Sequence, residues 1–220
     1  MQNLKVIYED NHIIVVEKTP NIPSQSDKTG DIDMLTLVKQ YIKEKYNKPG
    51  NVYLGLVHRL DRPVGGIMIF AKTSKAASRL SNQVREKIFK KEYLAVCNGI
   101  FDKKFGTISL PIARKENSII ERCISENGQP AITHYEVLKE FDNYSLVKCS
   151  LETGRTHQIR VHMSAIGHPL LGDSLYGSIS DLINRQALHC FNLQFIHPVY
   201  NNDLNFWGDL PNDFKIFDIK

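Results

Sequence analysis

Ala131-Ile132-Thr133-His134-Tyr135-Glu136-Val137-Leu138 and Tyr144-Ser145-Leu146-Val147-Lys148-Cys149-Ser150-Leu151 decide the fold class. Both alternate apolar and polar side chains with period two, the mark of half-buried strands, and lie close enough to pair. Upstream, short strands are expected at 107–110 and 119–123 within a turn-rich stretch, 101–127, and another at 93–97. The chain opens on a hairpin, 4–8 and 13–17, turned by Glu9-Asp10-Asn11 and broken by Pro20 and Pro23. An extended piece at 52–57 precedes a loop, 58–66, and an apolar strand at 67–71.

Helical spacing appears three times. Leu35, Val38 and Ile42 mark a helix over 34–46, capped by Asp31 or Asp33 and ended by Pro49-Gly50. Ala77, Leu80, Val84 and Ile88 form the apolar stripe of a second, N-capped by Thr73 or Ser74. A third, about 156–166, buries Ile159, Met163 and Ile166 and stops at Gly167. A late strand covers 188–196, and Pro211 opens a short C-terminal helix. Hairpin-grouped strands with few helices predict an α+β fold around a mostly antiparallel sheet, without repeat or linker, and so a single domain over 1–220.

Composition excludes several classes. With 220 residues, 42% apolar and 24% charged, the chain is an ordinary globular protein able to bury a core. No apolar run approaches a bilayer span and no signal peptide is evident, so a cytoplasmic protein with no membrane partner is expected. Cys97, Cys123, Cys149 and Cys190 form neither a disulfide framework nor a CxxC pair. A net charge of +4 permits a polyanionic partner without demanding one. Arg79, Arg85, Lys87, Lys90 and Lys91 crowd one helix and its following turn, either a solvated face or a polyanion contact.

Two segments carry chemistry. In His58-Arg59-Leu60-Asp61-Arg62-Pro63-Val64-Gly65-Gly66 one carboxylate sits between arginines on a loop shaped by proline and glycine. Such a carboxylate stays ionised, which suits a nucleophile or electrostatic stabiliser but not a general acid; equally, it could merely brace its loop. In Glu152-Thr153-Gly154-Arg155-Thr156-His157-Gln158-Ile159-Arg160-Val161-His162, a Gly-Arg-Thr turn enters a helix with N–H groups, dipole and arginines suited to an anion. His157, Arg160 and Ser164 share one face of that helix. His157 and His162 lie about 140° apart around it and cannot share a metal. No HExxH, GxGxxG or GxxxxGK[ST] is present, so neither metal nor cofactor is expected.

Together these segments resemble the RluA-type pseudouridine synthases. The loop from His58 is similar to the family's HRLD loop, with Val64-Gly65 where many members have Thr-Ser. Lys91-Glu92-Tyr93-Leu94-Ala95 resembles the K-x-Y-L-A strand, Gly154–His162 the GRTHQ(I/L)RVH block, and Gly167–Gly177 the GHP…GD..YG block. Arg185-Gln186-Ala187-Leu188-His189 resembles R-x-x-L-H, while Lys18-Thr19-Pro20-Asn21 departs from K-P-x-G. The likeness runs from Val6 to about Pro198 and includes five ordered blocks.

The resemblance implies the pseudouridine synthase catalytic fold, a mixed, mainly antiparallel sheet in two halves flanked by helices. It implies isomerisation of uridine to pseudouridine in structured RNA, without cofactor, after the base is flipped out. Asp61 becomes the catalytic carboxylate, Tyr93 packs on the base and takes the C5 proton, and Arg160 keeps Asp61 ionised. Leu188 lies under the base, Arg59 fills the gap left by it, and Arg62, Arg155 and His157 bind substrate. The basic helix, taken as 75–91, tracks phosphates. With a first strand by about Val6, no S4-like domain is expected ahead, and the partner is an rRNA or tRNA stem–loop bound by a monomer. An N-glycoside hydrolase would release free uracil and want a second carboxylate; a non-enzymatic RNA-binding module would tolerate loss of Asp61.

Overall fold

A computed structural model describes residues 4–177 and 179–217. In chain order its elements are β1 (Lys5–Glu9), β2 (Ile13–Lys18), α1 (Met34–Lys45), β3 (Gly55–Leu56), β4 (Gly65–Ala71), α2 (Ser74–Arg85), β5 (Lys90–Asn98) and β6 (Phe105–Ser109). There follow β7 (Ile112–Arg114), β8 (Arg122–Ile124), β9 (Ile132–Glu140), β10 (Tyr144–Leu151), α3 (Gln158–Ala165), β11 (Leu188–Ile196), β12 (Asp203–Trp207) and a 3-10 helix, Asn212–Phe217. The expected α+β class, strand-rich and mainly antiparallel with few helices, is borne out. The chain divides into two compact units: residues 1–90 with 190–209, and residues 91–189 with 210–220.

In the first unit β1, β2, β4 and β11 are successive neighbours, with β3 added to β4 and β12 to β11. Every residue of β4 is buried, and so is nearly all of β2; such continuous apolar runs suit strands covered on both faces. Asp33 caps α1, accepting from the Thr36 N–H at 3.1 Å, and Met34, Val38 and Ile42 are buried at four-residue spacing. Thr73 caps α2 in the same way through the Ala76 N–H.

The face of α2 differs from the expected stripe. Ala76, Leu80 and Gln83 point inward, whereas Val84 and Ile88 are exposed. The Gln83 amide donates to the Ile196 carbonyl at 2.7 Å and accepts from its N–H at 2.9 Å. A polar residue thus takes the inner position because it satisfies both backbone groups of a neighbouring strand.

The second unit is built on β5-β10-β9-β6, with β7–β8 a separate ribbon. The two stretches that decided the fold class are β9 and β10, paired antiparallel as expected. The strand foreseen at 119–123 begins instead at Arg122, because a turn intervenes. Lys115 pairs with Glu121, and Ser118 Oγ accepts from the Glu121 N–H. Helix α3 is shorter than the pattern suggested and buried throughout 158–163, so its polar residues need internal partners.

Candidate active site

Asp61 belongs to the first unit, in the irregular segment between β3 and β4. Side chains alternate across the approach: His58 is buried, Arg59 exposed, Leu60 buried. The His58 ring accepts from the Ile69 N–H through Nε2 and lies 5.5 Å from the Phe89 ring, which fixes the entry to the loop. Ser24 then grips Leu60 by both backbone groups, donating to its carbonyl at 2.7 Å and accepting from its N–H at 3.0 Å.

Beyond Asp61 the clamp is charged. Lys18, only 1% exposed, donates from Nζ to the carbonyls of Val64 at 2.6 Å, Arg62 at 2.8 Å and Thr19 at 3.3 Å. The Arg62 carbonyl also accepts from the Asn21 N–H, and the Asp61 carbonyl from the Val64 N–H. Gly66, at φ +129°, closes the loop where a Cβ would come within 2.2 Å of the Cys190 carbonyl oxygen, so a side chain is excluded. The backbone bearing Asp61 is thereby held on both sides by buried groups.

Arg62 is engaged differently from the expected carboxylate neighbour. Its guanidinium pairs with Asp31 and, at 3.5 Å, with Asp27, and donates to Thr29 Oγ1. A substrate contact by Arg62 would have to compete with these partners.

The second unit carries Tyr93, Arg155, His157, Arg160 and Leu188. Tyr93 is buried on β5, opposite Cys149 of β10. Arg160 makes a two-pronged pair with Asp173, Nε to Oδ2 and Nη2 to Oδ1, both at 2.7 Å, and its guanidinium lies 4.9 Å from the centre of the Tyr176 ring. Such a fork fixes the plane of the guanidinium as well as its position. His157, at φ 58°, is pinned through Nδ1 to the Tyr176 hydroxyl at 2.8 Å, and Ser164 Oγ donates to the Tyr176 carbonyl. The predicted His157–Arg160–Ser164 face is therefore real, and it packs on the 173–176 turn. Burial pushes the Tyr176 phenol up, keeping its proton available.

The turn into α3 is less open than expected. Gln158 Oε1 accepts from the Arg155 N–H and the Thr153 hydroxyl, while its Nε2 donates to the Ile132 carbonyl and Thr133 Oγ1. One side chain thus consumes a donor that sequence reading left for an anion, and Arg155 itself donates from Nε to the Pro130 carbonyl. His162 donates through Nε2 to the Leu110 carbonyl and accepts at Nδ1 from Thr133, as a neutral ring; burial lowers its pKa. Leu188 is buried, its carbonyl held by Arg185, which is forked onto Asp213 of the 3-10 helix.

The basic helix expected over 75–91 does not persist. It ends at Arg85, Lys87 has φ 59°, Lys90 and Lys91 begin β5, and Arg79 is tied to the Pro198 carbonyl at 2.6 Å. Sequence reading also passed over Lys18, Ser24, Asp173 and Tyr176 as site builders. Only Lys18, at the place of the family's K-P-x-G, and Asp173 and Tyr176, in the GD..YG block, carried a signal. Among the described residues no three His, Cys, Asp or Glu side chains gather as a metal site, and no helix is long and apolar enough to cross a membrane.

The family model described as RNA pseudouridylate synthase matches residues 12–165, so the chain belongs to the RNA pseudouridylate synthase family. The RluA-type affiliation expected from the motifs holds, and with it the enzyme class, an RNA pseudouridine synthase. The chain is 43% identical to the uncharacterized RNA pseudouridine synthase YjbO of Bacillus subtilis, over 96% of this chain and 74% of the relative. It is 37% identical to ribosomal large subunit pseudouridine synthase D of Nitrosomonas europaea, over 96% of this chain and 63% of that protein. Among solved structures, human RNA pseudouridylate synthase domain containing 1 superposes with a TM-score of 0.76 at 31% identity, covering 96% and 84% of the two chains.

Proposed function

We propose that this enzyme converts a specific uridine of large-subunit ribosomal RNA to pseudouridine, with Asp61 as the carboxylate that drives the exchange. The observation that carries the reading is the clamp on the Asp61 loop. Ser24 and Lys18, both buried, hold the backbone immediately before and after one half-buried carboxylate. Preorganisation of this kind is what a carboxylate needs to meet charge developing at an anomeric carbon. The RNA class rests on the relatives named as ribosomal large subunit enzymes.

In the reaction the N1–C1′ bond breaks, the uracil turns, and a C5–C1′ bond forms; the C5 proton leaves and N1 gains one, so no electrons are exchanged. Asp61 assists departure of the base at C1′. Arg160, aligned by Asp173, supplies a fixed cation for the reaction, and Tyr93 packs on the base and takes the C5 proton. Leu188 underlies the base. Exposed Arg59 fills the space it vacates on flipping, while Arg62, Arg155 and His157 contact the substrate strand.

The test is incubation with unmodified transcripts of large-subunit rRNA and, separately, tRNA, followed by pseudouridine-specific labelling and mapping. Conversion at a discrete rRNA uridine is the expected result. Conversion confined to tRNA would overturn the RNA assignment, and release of free uracil would overturn isomerisation.

A further inference from the structure

The β7–β8 ribbon of the second unit bounds a cleft of about 260 Å³ that the exchange chemistry leaves unused. Arg114, Arg122 and Arg155 line it, together with Asn127, Gln129 and Thr156, and no acidic side chain does. Arg114 and Arg122 are directly opposite each other across the ribbon. Like charges at such positions repel, so the arrangement is unfavourable without a counter-charge. The local carboxylates do not supply one: Glu121 is paired with Lys115, and Glu116 and Glu126 are exposed away from the lining.

Two of the three arginines are also held before anything binds. Arg122 donates from Nη1 to the carbonyls of Ile120 at 3.0 Å and Glu121 at 2.9 Å, and its backbone N–H donates to the Tyr176 hydroxyl at 2.7 Å. Arg155 is tethered through Nε alone. The floor is rigid backbone: Ile112 and Gln129 exchange both hydrogen bonds, and a Cβ at Gly128 would come within 2.6 Å of Ile112. Next to this basic cleft, the turn of the ribbon holds Ile119 and Ile120 out at 81% and 64% exposure. A partner offering both phosphate and an apolar base face matches the pair.

We infer that the three-arginine cleft is a docking subsite for a backbone phosphate of the RNA substrate, with Ile119 and Ile120 resting on an unstacked base beside it. The inference rests on the synthase reading and extends it to a contact outside the chemistry. Arginine forks suit phosphate oxygens, and single-stranded loops expose the base faces an apolar tip can cover.

The measurement is filter binding of an unmodified large-subunit rRNA transcript over a salt series, for wild type, Arg114→Gln, Arg114→Gln/Arg122→Gln and the corresponding Lys variants. Loss of this one phosphate contact should reduce the slope of log K against log salt by about 0.7–0.9 in total, reached in the double Gln variant and at most in part in Arg114→Gln alone. Lys should restore the slope. Ile119→Ser/Ile120→Ser should weaken binding several-fold at unchanged slope. An unaltered slope in both Gln variants would overturn the phosphate subsite, as would binding of inorganic phosphate in the cleft accompanied by that unaltered slope. Full binding by the Ile variant would overturn the base contact. Conversion is scored on the same RNA, so failure of the synthase reading appears separately, as RNA bound but never modified.

Discussion

Replacing Lys18 by Met tests whether the Asp61 loop is held or merely adjacent. Met keeps the length and apolar stem of the side chain and removes only the ammonium, at a position 1% exposed. Three charged hydrogen bonds are then lost: the Val64 carbonyl loses the lysine as donor, while the Arg62 carbonyl keeps the Asn21 N–H and the Thr19 carbonyl keeps the longer contact from the Ile22 N–H. Hydrogen bonds to a charged group contribute about 1.5–3 kcal/mol each, and an unsatisfied buried acceptor costs about 1–3 kcal/mol. Burying an ammonium has its own desolvation cost, which offsets part of that gain. The net expectation is a loss on the order of 3 kcal/mol. In urea, with a slope near 2 kcal/mol/M, the midpoint should fall by roughly 1.5 M at unchanged slope. Turnover should fall at least tenfold even at temperatures where the variant is fully folded, because the carboxylate no longer has a fixed backbone. A midpoint within about 0.2 M of wild type, with normal turnover, would refute the clamp.

Other outcomes follow from the same contacts. Asp173→Asn leaves the Arg160 guanidinium without its buried counter-charge and should cost about 3–5 kcal/mol in urea denaturation, with a parallel loss of activity. Glu9 is held at a pKa of about 2: burial opposes ionisation, but Lys45, Lys72 and the Tyr46 hydroxyl outweigh it. Because this value lies below the ordinary 4.5, the stabilisation is complete above that pH and disappears as pH falls towards about 2. Glu9→Gln should therefore be less stable near neutrality, by up to about 3 kcal/mol, and show a shallower acid-side slope. Burial pushes the Cys97 and Cys149 thiols up, and Cys190 is fully buried, whereas Cys123 is partly exposed. Alkylation of the native protein at pH 8 should label Cys123 alone, and all four after denaturation.

What the sequence made legible was whatever repeats locally. The β9–β10 hairpin was visible because period two persists over about eight residues in each strand, and the late strand at 188–196 because it is a short, mainly apolar run. Helix α1 carried its own cap and stripe. What stayed hidden depended on distant partners. Gln83 replaced Val84 on the inner face of α2 for the sake of Ile196, 113 residues away. Strand β12, with its Asp and Asn residues, has weak strand propensity and forms because β11 offers it an edge. The site divides the same way. Asp61, Arg59 and Arg160 stood out in motifs, but the groups that fix the Asp61 loop lie 36 to 46 residues upstream, and a lysine ending an apolar strand reads as solvated until its carbonyl partners are known.

The central claim, that Asp61 performs the exchange, is tested most directly by Asp61→Asn assayed on one RNA for both binding and conversion. Asn preserves the shape of the side chain and its capacity to accept hydrogen bonds but carries no charge and is a poor nucleophile. The account predicts a folded protein that binds the transcript within about threefold of wild type, roughly 0.65 kcal/mol, and forms no detectable pseudouridine. Substantial turnover by this variant would show that Asp61 only braces its loop and would contradict the account.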